Sequence, residues 1–454
     1  MAAEDLPSVA LVSLGCPKNL VDSERMLAAL ALDGFAVTAD PDGADVAVVN
    51  TCAFLDLARA ESDQHIDALE AMKAAGRLGR IVVAGCMAQR YGREILARHA
   101  GVDAVVGLAG RDGLAAVCRR VLARRRRDGP TVCVGPVPGS APDDRVRLRL
   151  TPRHYAYLRI TEGCDNRCAY CAIPDIRGPL RSKPLEQVLS EAEELAADGA
   201  RELILIGQDT TAYGRDRPAG GCNLAGLIER LRERLDVPWI RLMYTHPASF
   251  GPEVIAQLAA GPPVVPYVDL PLQHVNSRIL RGMGRRVDRA AIEDLLGRLR
   301  AAVAGLAIRT SFIVGYPGET EAEFGELAAF LAQGLFDHVG VFVYSPEAGT
   351  RAAGLPDRPP PEVARARWDR LMASAEVLAL AAAARQEGRT LDVLVDGADE
   401  TGRLVARHAG QAPEVDSVVL VPAGSAAVGT FARVRVTGAE GYALVAEVVE
   451  DPIA

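Results

Sequence analysis

The N-terminal third of the chain is punctuated by three apolar runs of one design. Residues 8–15 lead into Cys16, residues 44–51 into Cys52 and residues 80–85 into Cys86. Nearly unbroken apolarity over so short a span marks a strand buried on both faces of a parallel sheet. Helical periodicity follows, at residues 23–32 after the first run and 59–75 after the second. Strand–helix repeats of this kind build a doubly wound α/β sheet, which binds its ligands at the carboxyl ends of the strands. All three cysteines stand at that end, so the pattern predicts that they converge. One such cysteine would pass for a small buried hydrophobe. Three in the same position ask for another account, and an auxiliary iron–sulfur cluster provides it.

From His154 onward, strand-like runs alternate with amphipathic helices. The strands are expected at residues 155–160, 202–206, 239–244, 265–270, 308–314 and 339–344, with helices at 184–197, 224–235, 289–302 and 321–333. Six β/α units suit an open or partial barrel better than a closed eight-fold one. The tail from Gly388 changes again, to five short strands at 391–395, 402–406, 417–420, 431–437 and 442–448, as in a small antiparallel β-barrel. Between the first two units, four arginines at residues 124–127 read as a solvated helix end, and the Pro- and Gly-rich stretch 135–142 reads as a linker. The expected organisation is an N-terminal domain at 7–134, a linker at 135–149, a barrel domain at 150–386 and a C-terminal domain at 387–454.

Directly after the first strand of the barrel comes Gly163-Cys164-Asp165-Asn166-Arg167-Cys168-Ala169-Tyr170-Cys171. Three thiolates on one tight loop can hold three irons of a four-iron cluster and leave the fourth open to a ligand. Structural zinc wants four protein ligands, so the triplet fits zinc poorly. The loops at 207–214, 271–274 and 315–320 belong to the same face of the barrel, where active sites are built. Gly315 and Gly318 either let backbone approach a nucleoside or only shape a turn capped by Thr320. His274 receives no role, and Cys118, Cys133 and Cys222 read as core or loop residues.

Composition narrows the class. A chain of 454 residues with 49% hydrophobic content can build real cores, and its nine cysteines, an odd number, speak for metal-binding thiolates in a reducing, cytoplasmic setting instead of a disulfide scaffold. No apolar run reaches the roughly 18 residues of a membrane helix, and residues 1–7 lack the layout of a signal peptide. A net charge of −8 argues against a surface built throughout for nucleic acid.

The spacing of the triplet, with Tyr170 before its last cysteine, resembles the signature of radical S-adenosylmethionine enzymes. Ser13-Leu14-Gly15-Cys16-Pro17-Lys18-Asn19-Leu20-Val21-Asp22-Ser23-Glu24, with Asn50-Thr51-Cys52 and Gly85-Cys86, resembles the methylthiotransferases of that group over essentially the whole chain. The resemblance implies that Cys16, Cys52 and Cys86 hold one [4Fe-4S] cluster and that Cys164, Cys168 and Cys171 hold a second. S-adenosylmethionine would bind the open iron beside Tyr170 as radical source and methyl donor. No catalytic acid or base can be named.

Within that family, residues 16–23, Ala172-Ile173-Pro174-Asp175-Ile176-Arg177-Gly178 and Gln208-Asp209-Thr210-Thr211-Ala212-Tyr213-Gly214 resemble the branch that modifies the β-carbon of an aspartate in ribosomal protein S-twelve. The alternative is the branch that modifies tRNA adenosine, and a noncatalytic iron–sulfur protein is a third reading. The tail resembles a TRAM domain, yet from Gly388 it carries ten acidic residues against five arginines, a balance of −5 that suits a basic protein partner better than phosphate. The expected partners are therefore ribosomal protein S-twelve and an electron donor such as flavodoxin or ferredoxin, with no membrane, tRNA disfavoured and the protein a monomer.

Overall fold

The computed structural model describes residues 6–124, 129–218 and 220–450. The expectations placed on residues 1–5 and on the arginines at 125–127 lie outside the described residues.

Six parallel strands form the first sheet: β1 (Ser8–Ser13), β2 (Ala36–Thr38), β3 (Val46–Thr51), β4 (Arg80–Gly85), β5 (Ala104–Val106) and β6 (Thr131–Cys133). Their order is β2-β1-β3-β4-β5-β6. Every residue of β3 is buried, because alternate side chains serve two cores. Ala47 and Val49 pack into one, Val46 and Val48 into the other. The order runs outward in both directions from β1 and β3, which makes their carboxyl ends a topological switch point. Cys16 and Cys52 stand there, and Cys86 follows β4 next door. The helix after β1 runs over Pro17–Leu32 and so begins earlier than the periodicity at 23–32 suggests. Proline at the first turn has no N–H to leave unpaired, and the Cys16 carbonyl accepts from Asn19 and Leu20 at 2.8 and 3.0 Å.

The central unit begins with β7 (Tyr155–Arg159), followed by a small antiparallel ribbon of β8 (Thr161–Glu162) and β9 (Arg181–Ser182). Five further strands complete its parallel sheet: β10 (Glu202–Ile206), β11 (Trp239–Leu242), β12 (Val264–Asp269), β13 (Ala307–Val314) and β14 (His338–Val343). The order β14-β13-β12-β11-β10-β7 is sequential and unclosed, the open barrel that six units predict. Helices cover its outer face, where Leu158, Leu203, Leu205, Ile240 and Val268 pack against Leu189, Leu227, Ile255 and Leu296.

The tail forms a closed barrel of β15 (Thr390–Ala398), β16 (Leu404–His408), β17 (Val419–Val421), β18 (Phe431–Glu440) and β19 (Ala443–Glu450). Four of its neighbouring pairs are antiparallel, whereas β17 and β19 pair in parallel. Among the described residues, no helix of the chain is long and apolar enough to cross a membrane.

This small barrel docks into the concave side of the open one. Leu394, Ala412 and Phe431 join Tyr155, Tyr157, Trp239, Val265 and Tyr267 in a shared core. The loop after β16 carries the polar part of the contact. Glu414 accepts from the Tyr155 and Tyr157 hydroxyls at 3.1 and 3.3 Å, and Asp416 accepts from the Tyr267 hydroxyl at 2.8 Å and pairs with Arg309 at 2.6 Å. Asp396 pairs with His154 and Arg407. Part of the tail's acidic excess is therefore turned inward, because each of these carboxylates has a partner in the interface.

The Asp416 side chain is fully buried, so Asp416→Ala takes from the Arg309 guanidinium its nearer counter-ion and leaves only Asp269 at 3.9 Å. The variant is expected to lose about 3 kcal/mol of unfolding free energy in a denaturant titration. Glu447→Ala, on the exposed face of β19, should stay within about 0.5 kcal/mol of wild type.

Candidate functional site

Glycine makes the three strand ends approach one another. Gly15 has φ +89°, and a Cβ there would lie 2.8 Å from Cys52 Cβ; Gly85 has φ +94°, and a Cβ there would lie 2.7 Å from the Thr51 carbonyl oxygen. Asn19 and Asn50 knit the same ends together. The Asn19 amide donates to the carbonyls of Leu14, Asn50 and Thr51, and the Asn50 amide donates to the Asn19 carbonyl and the Ser23 hydroxyl. The outcome is that Cys16, Cys52 and Cys86 lie close enough to perturb one another's ionisation.

Their surroundings are unequal. Burial pushes Cys52 up and Cys86 up to about 12, the latter despite the Arg177 guanidinium 3.3 Å from its sulfur. Burial raises Cys16 too, but the charges of Lys18 and Arg177 and backbone N–H groups outweigh it and hold that thiol below its ordinary value.

Arg177 comes from the other unit and belongs to a buried lattice of charge at the junction. Arg159, fully buried at the end of β7, donates to Asp144 at 2.6 and 2.9 Å, to Asp22 at 2.7 Å and to Glu162 at 2.8 Å. Arg177 donates to Glu162 at 2.9 Å and to Asp22 at 3.0 Å. Arg111 also pairs with Asp22, and Lys183 pairs with Asp144 and Glu191. Burial disfavours ionised Asp22, yet Arg111, Arg159 and Arg177 keep it well below the usual carboxylate range; Arg159 and Lys183 do the same for Asp144. Four acids thus meet four bases, the arrangement in which buried charge is tolerated. Asp144 lies in the stretch 135–149 read as a linker. That stretch has no strand or helix, but it is bonded into the junction, and Glu24 also receives the Leu148 and Leu150 N–H groups.

The second set of thiols sits on a loop pinned from several sides. At Gly163, φ is +76° and a Cβ would fall 2.0 Å from the Pro179 carbonyl oxygen. The Cys164 N–H donates to Gly178, Ala169 donates to Met283, and Asp165 accepts from the Leu180 N–H. Asn166 donates to Asp209 at 2.6 Å and accepts from Arg286 at 3.1 Å. Burial pushes Cys164 up to about 11 and Cys171 higher. Cys168 lies close enough to Cys164 and Cys171 to raise both. Tyr170 packs with Ile279, Met283, Tyr316 and Tyr344, and its hydroxyl is 3.4 Å from Arg285.

The residues present fit an iron–sulfur cluster with an anionic ligand beside it. Each local set of three thiols could supply three sulfur donors to such a cluster. At the barrel mouth, buried His246 Nε2 and Arg285 Nε have no hydrogen-bond partner among the described residues. Burial and the charges of Arg285, Arg286 and Arg215 bring His246 down to about 2, so its imidazole is neutral and Nε2 is a donor, Nδ1 being occupied by the Ala248 N–H. Orphan donors in an arginine-rich mouth suit a carboxylate. His246 and Arg285 were missed in the sequence because nothing sets them apart from other loop residues, and Arg177, though inside a quoted motif, shows its role only through Asp22 and Cys86 of the first sheet.

Other candidates have structural duties. His274 is fully buried, accepts from the Asn276 N–H and faces Glu319 at 3.2 Å. Thr320 forms a capping box with Glu323, and a Cβ on Gly315 would meet Ala364 at 2.6 Å, so that loop is committed to its turn. Cys118 lies in the core, Cys133 ends β6, and Cys222 is a partly buried loop residue.

Residues 8–107 match Uncharacterized protein family UPF0004, residues 158–331 the Radical SAM superfamily and residues 388–449 the TRAM domain. A protein of Thermosynechococcus vestitus named ribosomal protein uS12 methylthiotransferase RimO is 44% identical over 96% of this chain and 96% of the relative. A protein of the same name from Pelotomaculum thermopropionicum is 42% identical over 97% and 99%. The chain belongs to the RimO methylthiotransferase family. As a Radical SAM member, this RimO-family chain uses a [4Fe-4S] cluster and S-adenosylmethionine. Its fold extends to the radical S-adenosylmethionine methyltransferase TsrM of Kitasatospora setae, with a TM-score of 0.55 at 17% identity over 76% of this chain and 74% of the other.

In metal-free RimO-family protein, the depressed Cys16 thiol should react with iodoacetamide at neutral pH well before Cys52 and Cys86. Peptide mass mapping over a time course reads the order. Cys86 labelled first would contradict the charge arrangement described.

Proposed function

We propose that this protein is a radical S-adenosylmethionine methylthiotransferase that modifies the β-carbon of an aspartate in ribosomal protein uS12. Cys164, Cys168 and Cys171 hold the cluster that binds S-adenosylmethionine, and Cys16, Cys52 and Cys86 hold a second, auxiliary [4Fe-4S] cluster. The observation that carries this reading is the junction, where Arg177 of the central unit reaches both the Asp22 carboxylate and the Cys86 sulfur of the first sheet. Near-full-length likeness to proteins named for uS12 supports the substrate.

When bound, the two clusters and S-adenosylmethionine supply the electron, the hydrogen-abstracting radical, the sulfur and the methyl group. The chain's own residues bind and orient. His246 and Arg285 offer donors to the carboxylate of S-adenosylmethionine, and Tyr170 walls the cluster loop. Asn166, locked between Asp209 and Arg286, fixes that loop to the second strand of the barrel. The buried lattice around Arg159 holds the junction closed, which limits side reactions of a reactive intermediate. A small reduced carrier of the flavodoxin or ferredoxin class delivers the electron, and the protein works as a monomer in the cytoplasm.

The test offers anaerobically reconstituted protein uS12 and unmodified tRNA side by side and reads the mass of each. Wild type should methylthiolate uS12 only. Replacing Cys164, Cys168 and Cys171 by alanine should abolish conversion of S-adenosylmethionine to 5′-deoxyadenosine. Replacing Cys16, Cys52 and Cys86 should keep that conversion and end methylthiolation. Modified tRNA with untouched uS12 would overturn the substrate, and methylthiolated product from the second variant would overturn the auxiliary cluster.

A further inference from the structure

Only three lysines occur in this arginine-rich chain. Two of them have carboxylate partners: Lys73 pairs with Asp103, and Lys183 with Asp144 and Glu191. Lys18 is buried too, 7% exposed, yet among the described residues it has no carboxylate within ion-pair distance and no hydrogen-bond acceptor. Its ammonium instead lies 3.1 Å from the centroid of the Tyr244 ring. The nearby acids are engaged elsewhere. Asp269 accepts from the Tyr244 N–H, and Glu162 holds Arg159 and Arg177. A buried ammonium with no carboxylate partner is costly, and an arriving carboxylate would offset that cost.

The platform beneath it is built. Tyr244, just past β11, has φ +59°, a left-handed conformation that a bulky residue adopts only when its surroundings impose it. Here they do. The Tyr244 N–H donates to Asp269 at 3.0 Å, and its carbonyl accepts from the Thr210 N–H at 3.0 Å and from the Thr210 hydroxyl at 3.3 Å. Lys18 itself stands two residues after Cys16, in the first turn of the helix at the switch point. The ammonium thus sits where the first sheet meets the mouth of the barrel, with a cysteine of one set on its own turn.

We infer that Lys18 receives the side-chain carboxylate of the substrate aspartate, with the Tyr244 ring as the floor of that subsite. The inference rests on the reading of an aspartate as the modified residue. A carboxylate carbon is one bond from the β-carbon, so an ion pair at Lys18 fixes the reacting carbon between the two cysteine sets. It also rejects asparagine, whose neutral amide leaves the buried ammonium unpaired.

The test measures binding of two fluorescent uS12 loop peptides, one with aspartate and one with asparagine at the target position, to the reconstituted enzyme with S-adenosylmethionine and no reductant. Wild type should prefer the aspartate peptide by at least about tenfold. In Lys18→Met the preference should fall to within about twofold, and Lys18→Arg should restore part of it. The alternative duty of Lys18, offsetting thiolate charge at Cys16, has its own signature. A Lys18→Met protein that keeps the aspartate preference while the reduction potential of its auxiliary cluster moves would overturn the inference. So would a wild-type enzyme that binds both peptides equally, whatever the fate of the variants. Failure of the substrate reading looks different, because then wild type methylthiolates neither uS12 nor its aspartate peptide.

Discussion

Arg159 is buried without remainder at the end of a strand, and its five donors need oxygens that its own strand cannot provide. They come from Asp22 in the first unit, from Asp144 in the connecting stretch and from Glu162 in the following ribbon. This one demand sets the geometry of the rest. Satisfying it fixes the helix Pro17–Leu32 over the barrel mouth, and with it the switch point that carries Cys16 and Cys52. Arg177 repeats the linkage one layer on and adds the Cys86 sulfur. Buried ion pairs give little net stability against an apolar alternative, but a mismatched register leaves several charges unpaired at once. Such a lattice therefore specifies the position of two units more sharply than an apolar interface would.

The small barrel obeys the same logic at the opposite side. An apolar contact of Leu394, Ala412 and Phe431 is given its register by Glu414 and Asp416, which reach tyrosine hydroxyls and Arg309 inside the open barrel. Sequence charge alone made this tail look like an acidic surface awaiting a basic partner. Asp396, Glu414 and Asp416 instead serve the inside of the molecule, and Asp392, Asp399 and Glu440 pair with arginines of the tail itself. The acidic balance that remains for a partner is smaller than the count suggests.

Much of the fold was legible because it is local. Apolar runs ending in cysteine gave the parallel strands and placed the cysteines at their carboxyl ends, and the change of period gave the open barrel and the short-stranded tail. What stayed hidden was long-range pairing. Asp22 and Arg159 are 137 residues apart, and no periodicity announces such a bond. Asp144 was concealed in a stretch whose Pro and Gly content reads as linker. Lys18 and Asp22 stood inside a motif already picked out for Cys16, yet their roles depend on Tyr244 and Arg177, which fold against them from the second unit. His274, given no role in the sequence, is occupied by Glu319 and a backbone N–H in the structure.

The juxtaposition of the two cysteine sets across this junction is tested most directly by electron paramagnetic resonance of protein carrying both proposed clusters in reduced form. Spectra of the two single-cluster variants, each lacking one cysteine set, provide the reference. Across one shared junction the two paramagnets should broaden each other and shorten each other's relaxation, so the wild-type spectrum should differ from the sum of the references. A wild-type spectrum equal to that sum, with unchanged relaxation, would contradict a single site built between the two units.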